Sequence, residues 1–115
     1  MLKLYYFAIL YFILLLEFEL IETGFECAGN ETYKGFKASL EACAFSCQGS
    51  SEMFIYAINQ RDMDRCKGSS CECFCEHDTV YGSSGPRCEK MLKNTKYKLY
   101  VLMKGRGIWG LCFIC

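Results

Sequence analysis

Cys71-Glu72-Cys73-Phe74-Cys75-Glu76 carries a cysteine at every second position. Successive side chains of a β-strand point to opposite faces, so this stretch reads as a strand with three cysteines on one face. Glu72, Phe74 and Glu76 fall on the other. The cysteine face is expected to turn inward. Ten of the 115 residues are cysteine, a composition that in a short exported chain marks a disulfide scaffold. The architecture then depends on which cysteines meet this strand.

Working outward, Ser39 to Cys47 is the clearest helix. Ser39 is a good N-cap and Glu41 sits in the first turn, where a negative charge suits the helix dipole. Leu40, Cys43, Ala44 and Cys47 fall at helical spacing on one face, and Gly49 is a stop signal. Cysteines one helical turn apart and cysteines alternating on a strand both sit roughly 6 Å apart. Cys43 and Cys47 are therefore placed to bridge to two of Cys71, Cys73 and Cys75, bolting helix to sheet. Cys66 and Cys71 flank a loop of hairpin length and are candidates to pair with each other, with Cys27 and Cys88 tying the ends. Spacing leaves the full connectivity open.

Met53 to Ile58 is a continuous apolar run with polar flanks, the pattern of a buried central strand. Gly82-Ser83-Ser84-Gly85-Pro86 reads as a turn, and Tyr97 to Leu102 as a closing strand.

The N-terminus has the pattern of an export signal. Lys3 is followed by an unbroken apolar run from Leu4 to Leu16, too short for the roughly 20 residues of a spanning helix. Residues 1–24 are read as the signal segment, with retention as an anchor the alternative. Removing them leaves 12 basic and 10 acidic residues, a net charge of +2. That balance argues against nucleic acid or a membrane-disrupting peptide. Residues 25–102 are then one domain, too small for a generous core without covalent help. Asn30-Glu31-Thr32 is an N-glycosylation sequon, usable on an exported chain.

Residues 103–115 form a glycine-rich to apolar tail. Cys112 and Cys115 within it form an extra disulfide, pair with another chain, or stay unpaired. Their C-terminal spacing also fits a prenylation box, which is cytosolic and conflicts with export. His77, the single histidine, lies between Glu76 and Asp78, but a surface loop accounts for it without catalysis. Structural zinc sites use cysteines in pairs two to four residues apart, so alternation on a strand favours disulfides over metal. No catalytic, cofactor-binding or metal-ligating residue is assigned.

Ser39-Leu40-Glu41-Ala42-Cys43-Ala44-Phe45-Ser46-Cys47 followed by Met53-Phe54-Ile55-Tyr56 resembles the PAN/apple domain. In that family a helix carries a C-x3-C pair and precedes a strand with an aromatic-x-aromatic signature. The alternating cysteines from Cys71 and the Tyr97-Lys98-Leu99-Tyr100 strand look like an invertebrate apple-like variant. The likeness spans Cys27 to Leu102. It implies an α+β fold, a twisted antiparallel sheet crossed by one helix, and a non-catalytic module that binds proteins or carbohydrates. The triple alternating cysteine exceeds the six-cysteine apple core, and the tail has no counterpart.

The expected function is a secreted, disulfide-stabilised module recognising an extracellular protein or carbohydrate. Arg61-Asp62-Met63-Asp64-Arg65 and the Lys90–Lys98 stretch are its candidate contact segments. The alternative is a toxin-like effector that blocks a target protein, with the tail as its apolar anchor.

Overall fold

The computed structural model describes residues 17–59 and 61–103. The export run Leu4–Leu16 and the tail cysteines Cys112 and Cys115 lie outside the described residues. The described chain is a small α+β unit: one helix against a mostly antiparallel sheet, stapled by four disulfides.

In chain order the elements are β1 (Glu17–Cys27), β2 (Glu31–Lys37), α1 (Leu40–Cys47), β3 (Met53–Ala57), β4 (Cys66–Lys67), β5 (Ser70–Glu76), β6 (Thr79–Gly82), β7 (Gly85–Cys88) and β8 (Met91–Met103). The main sheet runs β1-β8-β3-β5-β2, with β4 added to β5, and every pairing is antiparallel. β6 and β7 form a separate hairpin.

Local chemistry accounts for the helix limits. The Ser39 hydroxyl accepts the Ala42 N–H at 3.1 Å, filling one of the donor groups a helix start leaves open. At the far end Gly49 takes φ +84°, a backbone conformation that side-chain-bearing residues avoid, and the chain turns away.

Helix and sheet meet through sulfur. Cys43 bonds Cys73 and Cys47 bonds Cys75, so two successive inward positions of β5 are fixed to two successive turns of α1. Cys66 bonds Cys71 across the β4–β5 turn, and Cys27 bonds Cys88, tying β1 to the hairpin. All eight sulfurs are buried.

Every residue of β3 is buried, as befits the strand at the centre of the sheet. The alternation of β5 is less one-sided than its pattern predicts. Its cysteines face α1, but Glu72 and Phe74 on the other face are half-buried and Glu76 is fully so. Phe74 packs edge-on against Tyr97 of β8, with ring centroids 5.8 Å apart. The sheet is covered on both sides.

The sequence reading places residues 17–24 with the export segment. In the structure they form most of β1, whose register pairs Glu17 with Met103 and Leu20 with Tyr100. Phe18 joins the core from this stretch, and Met103, assigned to the tail, closes β8. Among the described residues no helix is long and apolar enough to cross a membrane.

Candidate functional site

The two segments singled out as candidate contacts come together at the Ala57 end of β3. The turn after β3 is built from its own side chains: Asn59 Oδ1 accepts the Arg61 N–H at 2.9 Å, and Asp62 Oδ1 accepts the Asp64 N–H at 3.1 Å. Lys96 of β8 reaches across to Asp62 at 3.1 Å. This lysine, above all, holds the Asp62 carboxyl below the usual carboxylate range.

Other members of the two segments are absorbed in the same framework. The Arg65 guanidinium lies 5.9 Å from the Tyr97 ring centroid and 3.7 Å from Glu72. The Tyr97 hydroxyl donates to Glu72 at 2.9 Å, and burial together with that carboxylate pushes its pKa upward. Arg65, Asp62 and Lys96 are therefore structural, joining the turn to β5 and β8. Met63 and Asp64 are exposed and outside the cleft described next, as are Lys90 and Lys93.

Arg61 and Lys98 remain. They line a cleft of about 430 Å³ together with Tyr56, Tyr100, Asn59 and Leu40, floored by Ala57 and Ile58. Neither cation is in an ion pair among the described residues. The tyrosines are held firmly. Tyr56 donates its hydroxyl to the Lys37 carbonyl at 2.8 Å, and Tyr100 stacks on Phe54 with centroids 5.1 Å apart. Burial raises the pKa of both phenols, so both keep their protons at neutral pH. The cleft thus offers two positive charges beside two fixed aromatic rings and an amide. That set suits an anionic group carried on a ring or apolar stem.

A second groove of about 420 Å³ lies between the β6–β7 hairpin and the β1–β8 edge. It is lined by Ile21, Tyr81, Pro86, Val101 and Met103 among others, and is more apolar.

The chain matches no family model, no curated protein and no solved structure.

The remaining sequence candidates fall elsewhere. Asn30 is exposed at the start of β2. Its backbone N–H donates to Asp78 Oδ2 at 2.7 Å, and its carbonyl accepts the His77 N–H at 3.0 Å. His77 also shares a hydrogen bond with the Thr32 hydroxyl through Nε2. The Glu76-His77-Asp78 run, which looks like a triad on paper, grips the Cys27–Thr32 segment one residue after another. The Cys43, Cys47 and Cys73 sulfurs lie within 4.8 Å of one another. That closeness follows from two disulfides side by side, in which no thiolate is left to ligate a metal.

The Glu72–Tyr97–Arg65 group was not legible as a unit. Its members come from three separate segments, and only the pairing of β3 with β5 and β8 brings them together.

Proposed function

We propose that the chain is a secreted, non-catalytic, PAN/apple-like binding module that recognises an extracellular protein or carbohydrate through the Arg61–Lys98 cleft. The observation that carries this reading is a pair of cations that, among the described residues, have no ion-pair partners, on a rigid, tyrosine-lined wall. Disulfides of this density belong to oxidising compartments, in keeping with export. The dominant chemistry of the cysteines is structural, and the cleft supplies charge and ring faces.

The test uses oxidised full-chain protein recovered from secretory eukaryotic cells, screened against glycans and extracellular proteins with and without acidic groups. Binders are expected among the acidic members, weakened by salt because exposed charges are screened. An Arg61→Glu/Lys98→Glu double variant should lose that binding at least tenfold with an unchanged melting temperature. Binding that survives the double variant assigns recognition to another face. The effector reading is separated by removing residues 104–115, which the module tolerates and an anchor-dependent blocker does not.

A further inference from the structure

Glu76 ends β5 and is 0% exposed. Its two carboxyl oxygens differ. Oε2 accepts the Cys27 N–H at 3.0 Å, whereas Oε1 is buried with no hydrogen-bond donor among the described residues. An ionised oxygen shut away from water without a donor is strongly unfavourable.

The groups around it make ionisation worse. Glu31 of β2 stands directly opposite across the β2–β5 ladder, and its carboxyl is within hydrogen-bonding reach. Glu26 of β1 adds a second like charge. From β3 the facing residue is Met53, and Ser51 spends its hydroxyl on the Glu76 carbonyl. From β8 the Asn94 amide goes to Glu26, while Lys90 contributes its carbonyl to the Ala28 N–H at 2.8 Å. His77 and Asp78, next along the chain, are engaged with Thr32 and Asn30. Among the described residues no basic side chain is among the charges acting on Glu76.

Two carboxylates cannot hydrogen-bond to each other, but one proton between them turns the orphan acceptor into a donor. We propose that Glu76 keeps its proton at neutral pH and donates it from Oε1 to Glu31, closing an acid-stabilised clamp on the segment that links β1 to β2. The same carboxyl then satisfies both strands: Oε2 accepts from β1 and Oε1 donates to β2.

Burial first, and then the Glu31 and Glu26 carboxyls, push Glu76 up from 4.5 to about 9. Between those values the folded chain holds a proton that the unfolded chain has released. Glu76's contribution to stability is therefore full below about 4.5 and is lost as pH rises toward 9. Glu26, also raised chiefly by burial, acts in the same direction. The clamp stands apart from the Arg61–Lys98 cleft, so either can fail without the other.

The decisive experiment follows thermal unfolding of the oxidised full chain and its Glu76→Gln variant from pH 4.5 to 9, with the infrared carboxyl band recorded at pH 7. Glutamine keeps a donor and an acceptor but does not titrate. The parent should show a protonated-carboxyl band that Glu76→Gln removes, and its midpoint should fall by roughly 20 °C or more across the range while the variant changes far less. A parent without that band at pH 7, or parallel pH profiles for the two proteins, overturns the proposal. If Glu76→Gln does not fold, Glu31→Gln serves instead: it removes the facing charge and must make the decline shallower, and an unchanged slope refutes the clamp. Calcium added at pH 8 should leave the parent's midpoint in place. A calcium-dependent rise that Glu31→Gln abolishes would replace the shared proton with a bound cation.

Discussion

Phe18 meets the rings of Phe54 and Tyr100 edge-on, each with centroids 5.9 Å apart, while those two rings stack on one another. The trio spans three neighbouring strands, β1, β3 and β8, and fixes the register between them. Its N-terminal member comes from a stretch whose sequence reads as the end of an export signal. A chain beginning at Phe25 should therefore unfold at markedly lower temperature than one beginning at Glu17, and Phe18→Ala in the longer chain should cost about 2–3 kcal/mol. Denaturant melts of the three proteins check this. Equal stability would mean that β1 before Phe25 adds nothing to the fold.

The four disulfides close loops of very different length. Cys27–Cys88 spans 61 residues of sequence, Cys43–Cys73 30, Cys47–Cys75 28 and Cys66–Cys71 only 5. Loop-closure entropy then ranks paired Cys→Ala replacements, from about 4 kcal/mol for the first to about 2 kcal/mol for the last. Urea midpoints of the four double variants give the order. A larger loss at Cys66–Cys71 than at Cys27–Cys88 would show that native packing, rather than chain entropy, dominates.

Gly29 takes φ +116°, and a Cβ there would lie 1.7 Å from Asp78 Oδ2. Alanine cannot be accommodated without breaking the Asp78–Asn30 hydrogen bond, so Gly29→Ala should destabilise by about 2–4 kcal/mol. Asp78→Ala removes the clash and the bond together. The double variant should therefore be more stable than Gly29→Ala alone, giving a strong positive coupling in a double-mutant cycle.

Tyr97→Phe deletes one hydroxyl and leaves its ring on Phe74 and beneath Arg65. Loss of a hydrogen bond to a charged acceptor should cost about 1.5–3 kcal/mol. Glu72 keeps Arg65 at 3.7 Å, which favours the lower end. Hydrogen exchange should localise the loosening to β5 and the turn after β3, with α1 unaffected.

Much of the covalent framework was legible because its signals are local. The period of two at Cys71–Cys75 and the helical spacing of Cys43 and Cys47 each fix a face, and two faces that must touch leave few choices. The buried strand at Met53 declared itself by continuity. β1, by contrast, was hidden: Glu17, Glu19 and Glu22 interrupt its apolar positions, and the apolar run that precedes it reads as an export signal. Alternating charge is what a sheet edge carries to discourage pairing with another chain. Glu76 was misjudged for a related reason. Alternation predicts which face a side chain takes, but burial on that face depends on Cys27, Glu31 and Met53, which are distant in sequence. The cleft was legible only as two separate charged segments. Their convergence is a consequence of the β3–β8 pairing.

Glu17 and Met103 are cross-strand partners, so the described chain enters and leaves the sheet side by side, next to the Met53 end of β3. The Arg61–Lys98 cleft opens by the Ala57 end of the same strand. A linkage made directly at Glu17 or Met103 would therefore meet the sheet at the end of β3 opposite the cleft, and leave the cleft facing outward.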